Sequence, residues 1–136
     1  MLVCCGFIPQ HKASRTNQPT KNSSELYTEA IKALLIRQDT TAAINAIEAI
    51  FQQDSNYAPA LSLLSRIHKD PQLVTKYAKR AYLADTTNRY YLEQYGYALL
   101  DSERALATPI FEKIVQYSTN LNDYRILSIL LFSNNK

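Results

Sequence analysis

The stretch Asp54-Ser55-Asn56-Tyr57-Ala58-Pro59-Ala60-Leu61-Ser62-Leu63-Leu64-Ser65 lies over Asp85-Thr86-Thr87-Asn88-Arg89-Tyr90-Tyr91-Leu92-Glu93-Gln94-Tyr95-Gly96 without a gap. Asp begins both segments, Leu61 meets Leu92, Leu64 meets Tyr95, and the small Ser65 meets Gly96. A looser copy runs from Asn120 to Leu131, where Tyr124, Leu127 and Ser128 take the equivalent places, and an earlier one holds Leu26, Glu29 and Ala30. With Ala30, Ser65, Gly96 and Ser128 as markers, the copies step by 35, 31 and 32 residues. A period of about 34 residues is the signature of stacked units made of two helices each. In such a stack a small side chain on one helix admits a bulky one from its neighbour, which assigns Ser65 and Gly96 as the holes.

The hydrophobic spacing between the markers is helical throughout. Leu26, Ala30, Ala33 and Leu34 recur at three- and four-residue steps and predict a first helix over 24–38. Asp39-Thr40-Thr41 supplies capping oxygens for a second helix ending near Gln53. Further helices are expected over 58–68, 71–84, 88–100, 105–117 and 121–132. Asp70-Pro71 is a start signal, because Asp caps and Pro in the first turn loses no hydrogen bond. Pro109 leaves two readings of the sixth helix: a start near Thr108 with Thr as its cap, or a start near Ser102 with a kink. Residues 10–23, QHKASRTNQPTKNS, hold almost nothing apolar and read as a tether, so the chain divides into a disordered 1–23 and a helical 24–136.

Pattern and period together resemble the tetratricopeptide repeat. Leu92, Tyr95, Gly96 and Leu99 match the family's first helix, and Phe111 and Val115 its second, with Thr108 where the family usually has Ala. In the copy before it, Leu61, Leu64, Ser65 and His68 lead to Ala78 and Ala81. The earliest has Leu26, Ala30 and Ala33, then Ala42, Ala46 and Ala49. The resemblance implies an all-α fold in which antiparallel helix pairs stack as a right-handed solenoid of about three and a half repeats. Its last helix, with Leu127, Ile129, Leu130, Leu131 and Phe132, is too apolar for a solvent-facing terminus. Either the chain belongs to a longer array, or this helix is itself the cap and lies flat on the sixth.

In that family the first helices line a concave groove that takes an extended peptide or a partner's helix. Carried onto matching positions, the resemblance implies a face of Tyr27 and Ile31, then Ser62, Arg66 and Lys69, then Tyr90, Glu93, Gln94 and Tyr97, then Asn122, Arg125 and Ile129. Aromatic rings with scattered cations suit a peptide chain, whereas tyrosines at helical spacing also serve as ordinary half-buried packing. The Lys and Asn set with which some members hold a terminal carboxylate is not matched, since Gln94 and Tyr97 stand where it would be completed. The expected partner is another protein, with self-association through the last helix as the competing use.

Composition removes other classes. A chain of 136 residues with 46% hydrophobic and 20% charged residues but only 2 Gly and 5 Pro is a single helical domain, neither disordered nor turn-dense. The net charge of +3 sits in Lys12, Arg15 and Lys21, ahead of the first acidic residue, Glu25; the remainder is neutral, so no broad basic face for nucleic acid is expected. No nucleophile elbow, phosphate loop or metal-ligand pair occurs, and His11 and His68 stand alone, so neither an enzyme nor a cofactor is expected.

Cys4 and Cys5 are neighbours, too close in sequence to bridge readily. Leu2-Val3-Cys4-Cys5 resembles a bacterial lipoprotein cleavage box if residues precede Met1, which implies lipid on one of the two cysteines and a place in the cell envelope. With Met1 as the true start, the pair and the basic tether resemble a palmitoylated anchor. An unmodified tail on a cytoplasmic protein is the third reading.

Overall fold

A computed structural model describes residues 20–134, which form seven α-helices and no strand. They are α1 (Ser23–Leu35), α2 (Thr40–Gln53), α3 (Ala58–Ile67), α4 (Pro71–Ala84), α5 (Arg89–Ser102), α6 (Thr108–Ile114) and α7 (Leu121–Asn134), with a 3-10 turn at Arg104–Leu106 before α6. Most starts carry the cap that short polar residues provide: Asp39, Asp70 and Asn88 accept from the backbone N–H of Ala42, Gln72 and Tyr90 at 2.9, 2.9 and 3.0 Å. Asn22 and Glu25 form a reciprocal capping box that starts α1 one residue before the expected Ser24.

The end of α1 and both ends of α6 lie three residues inside the expected bounds, and the bounds of α3, α5 and α7 shift by one or two residues. α1 stops at Leu35 rather than Gln38, because Gln38 takes a left-handed φ of 52° and lets Asp39 N–H reach back to the Ala33 carbonyl at 2.9 Å. Glycine normally occupies that position in such a stop, and none is present. The sixth helix begins at Thr108, the first of the two readings, but Thr108 is not its cap; the cap position is Ala107, which offers no side-chain bond. Thr108 Oγ1 instead accepts from the Asn134 amide at 2.9 Å, joining the start of α6 to the end of α7. Past Ile114 the chain tightens into short-range bonds such as Tyr117 N–H to the Ile114 carbonyl, so α6 is a short rod.

Helices pack mainly on their neighbours in sequence: α1 on α2, α3 on α4, α4 on α5, and α6 against both α5 and α7. The interior is accordingly drawn out along the row. Ala30, Ala33, Ile47, Ile50, Leu63 and Leu64 form one cluster over α1–α3, while Leu92, Leu99, Phe111, Ile114 and Leu130 form another over α4–α7. Leu61, Ala81 and Tyr91 form a third between α3, α4 and α5. Of the marker residues, Ala30, Ser65 and Gly96 are buried, and a Cβ built on Gly96 falls 2.7 Å from Ile114 Cδ1. Ser128 is exposed, because no described helix covers the outer face of α7. That face also carries Tyr124, Ile129 and Leu131 at 44%, 42% and 43% exposure, while Leu130 is buried against α6.

Candidate partner-binding groove

Side chains join α3 to α5 and α5 to α7. Gln94 on α5 donates its amide to the Ser62 carbonyl at 3.1 Å and accepts from the Ser62 hydroxyl at 2.8 Å, fastening α3 to α5. Tyr97 on α5 donates its hydroxyl to Asp123 on α7, and the second oxygen of Asp123 accepts from Ser118. Thus α1, α3, α5 and α7 supply the candidate positions, with Gln94 and Tyr97 committed to holding the row together.

Arg66 and Tyr90 both lie within electrostatic reach of Tyr27. Tyr27 on α1 sets its ring edge-on to Tyr57 at 6.1 Å; burial raises its hydroxyl above the usual 10.0, the Arg66 guanidinium opposes that rise, and Tyr57 and Tyr90 add to it. Tyr90, half exposed at the start of α5, lies edge-on to Tyr91 at 5.9 Å. Burial likewise raises Tyr91, with smaller contributions from Tyr27, Asp85, Tyr57 and Tyr90. Tyr27, Arg66 and Tyr90 therefore share one electrostatic neighbourhood, together with Tyr57 and Tyr91, which the repeat pattern did not single out. Tyr57 had no helical signal because it sits at the cap position before α3. Beside the cluster, Arg66 forms one wall of an open cavity of about 250 Å³ whose other walls are Ile31, Leu34, Leu35, Leu63 and Ile67.

The other candidates stand apart. Lys69, past the end of α3, and Arg125 on α7 are exposed and form no ion pair among the described residues. Glu93 and Tyr97 border a second open cavity, of about 310 Å³, with Arg89, Tyr117 and Asp123; Arg89 lies 4.5 Å above the Tyr117 ring. His68 ends α3 and stacks on Tyr77 at 5.4 Å, a packing role. Cys4 and Cys5 lie outside the described residues, as does the rest of the segment up to residue 19. Among the described residues no cluster of metal ligands occurs, and no helix is long and apolar enough to cross a membrane.

Two expectations follow from the tyrosines. Tyr97→Phe keeps the ring against Phe111, 5.4 Å away, but removes a bond to the carboxylate of Asp123, itself only 3% exposed. A loss of about 1.5 kcal/mol is expected in urea unfolding, with exchange protection falling mainly in α7. Unchanged protection there would mean the bond does not anchor the helix.

The second concerns alkali. Tyr27, Tyr91, Tyr95, Tyr97 and Tyr117 are all raised above 10.0, in each case chiefly by burial. Below the unfolded value both states keep these protons and stability is complete. Above it the unfolded chain ionises first, so stability falls as pH rises through the folded values. Absorbance at 295 nm should show late tyrosine ionisation coinciding with loss of helical circular dichroism. A single wave over all 10 tyrosines near the unperturbed value, with the helices intact, would contradict this burial.

No protein-family model matches the chain, and comparison with curated proteins and with solved structures gives no significant match.

Proposed function

We propose that the chain is a tetratricopeptide-like module, a right-handed solenoid of about three and a half helix pairs, that holds an extended peptide or helix of a partner protein against α1, α3, α5 and α7. The observation that carries the reading is the Arg66 guanidinium of α3 in the wall of an apolar cavity shared with α1, with Arg66 and Tyr90 both in the electrostatic neighbourhood of Tyr27. Rings give contact area with little rotamer entropy to lose, and a guanidinium gives direction, the combination on which strong protein contacts concentrate. Gly96 under Ile110 and Ile114, and the Ser62–Gln94 bonds, support the stacked arrangement that the face needs. The reading uses no cofactor and no covalent step. Cys4, Cys5 and the basic tether support lipid attachment at a bacterial envelope, with a cytoplasmic location as the alternative.

Capture from host extract on the immobilised chain, quantified by mass spectrometry, tests the groove. A partner retained by the wild type should fall about thirtyfold on Arg66→Ala/Tyr90→Ala, equivalent to about 2 kcal/mol, while the helical signal stays constant. If the double variant keeps every partner, the groove is not the binding face. The intact mass of the chain from its host reports the tether in the same preparation, through an acyl-sized increment.

A second reading, assembly through α7, is favoured by the exposure of Tyr124, Ile129 and Leu131. It is separated by light scattering: a mass that rises with concentration and is abolished by Leu131→Glu belongs to assembly, and a concentration-independent monomer to capture.

A further inference from the structure

We infer that the segment held by this groove is acidic and aliphatic: a Leu, Ile or Val side chain enters the cavity between α1 and α3, and a neighbouring Asp or Glu side chain meets Arg66. The inference rests on the groove reading and adds the chemistry of its occupant.

Size and lining set the first half. The cavity, about 250 Å³, lies below the roughly 300–1,000 Å³ of typical small-molecule sites and suits one side chain of a longer ligand. Ile31, Leu34, Leu35, Leu63 and Ile67 offer it no polar side-chain atom, leaving Arg66 as the polar side chain in its wall, so an aliphatic group gains most by entering. Leu63 is buried and forms the floor; Leu35, 75% exposed, stands at the rim where an incoming aliphatic group would cover it.

Charge sets the second half. Arg66 is exposed, forms no hydrogen bond or ion pair among the described residues, and carries donors only. The one ion pair found among those residues, Glu29 to Lys32 at 3.5 Å, leaves its charge unmatched. A guanidinium with no acceptor opposite it, in the wall of an aliphatic cavity, complements a carboxylate beside a branched side chain. A basic segment would meet Arg66 with like charge.

The test uses the full chain, fluorescently labelled, to sort a bead library of N-acetylated, C-amidated octapeptides, so that no terminal carboxylate is present. Selected peptides should carry Asp or Glu within a residue or two of Leu, Ile or Val. Their dissociation constants should rise about tenfold in Arg66→Ala and more in Arg66→Glu, whose own selection should turn to Lys and Arg. Selected peptides without acidic residues, or a selection unchanged by Arg66→Glu, would overturn the assignment and leave the groove standing. No enrichment of any peptide would remove the groove and the assignment together.

Discussion

Phe111→Ala should lower the stability of the chain by about 3–5 kcal/mol, the range for deleting a fully enclosed aromatic side chain. Phe111 has no exposed surface, takes the edge-on contact of Tyr97 at 5.4 Å, and shares a cluster with Leu92, Leu99, Ile114 and Leu130. It sits on the element least able to hold itself. α6 has only 7 residues, no side-chain cap and a proline in its first turn, so helix propensity alone cannot keep it formed. Losing the ring leaves α7 without its support as well, since Leu130 packs in the same cluster. Because the interior is drawn out along the row, the damage should stay local. Hydrogen exchange should accelerate through α5, α6 and α7, while amides of α1 and α2, enclosed by Ala30, Ile47 and Ile50, keep most of their protection. A loss below about 1 kcal/mol in urea unfolding, or equal acceleration in both halves, would contradict the divided core.

Where a short polar residue precedes an amphipathic run, the sequence is a direct guide to the helix. Asp39 and Asp70 each cap the helix expected after them, Asn88 caps a helix expected to begin at Asn88 itself, and α4 occupies the residues that its Asp-Pro start and apolar spacing predict. Periodicity fails where a boundary depends on one backbone angle. Gln38 adopts the left-handed conformation that closes α1, and glutamine gives no sign of it. Pro109 signalled a break without saying that a 3-10 turn would precede it and that Ala107 would stand at the cap.

The candidate face divides for a similar reason. Repeat spacing tells which side of a helix a residue occupies, so Tyr27, Arg66 and Tyr90 could be read as facing together. It does not tell what a polar end will find there. Gln94 meets Ser62, 32 residues away, and Tyr97 meets Asp123, 26 away. Asp123 in a first helical turn looks like an ordinary charge at the positive end of a helix dipole, and only folding shows that it fastens two helices. Lys69 and Arg125 fit the pattern equally well, yet join neither the tyrosine cluster nor an internal bond.

Gly96→Leu is expected to cost about 2 kcal/mol net, and the comparison with two companion substitutions identifies why. A Cβ at Gly96 meets Ile114 Cδ1 at 2.7 Å, Ile110 Cγ2 at 3.1 Å and Phe111 Cε2 at 3.5 Å, so the remaining carbons of leucine have no space while α6 stays in place. Overpacking of this kind costs about 1–3 kcal/mol, against which leucine regains somewhat under 1 kcal/mol of helix propensity over glycine; the three-sided contact puts the gross cost at the upper end. Gly96→Ala adds only the methyl. Ile114 Cδ1 is the free end of a side chain and can turn away, and alanine gains about 1 kcal/mol of propensity, so the net change should remain within about 1 kcal/mol. Ser128→Leu places the same side chain at the equivalent point of α7. Ser128 is exposed with no described helix over it, so its replacement should change stability by no more than about 0.5 kcal/mol. A large loss at Gly96 with none at Ser128 follows only if α6 rests on the small residue of α5 while the matching surface of α7 stays uncovered. If leucine and alanine at Gly96 both raise the melting temperature, that position faces water, and the stacking on which the groove depends does not exist.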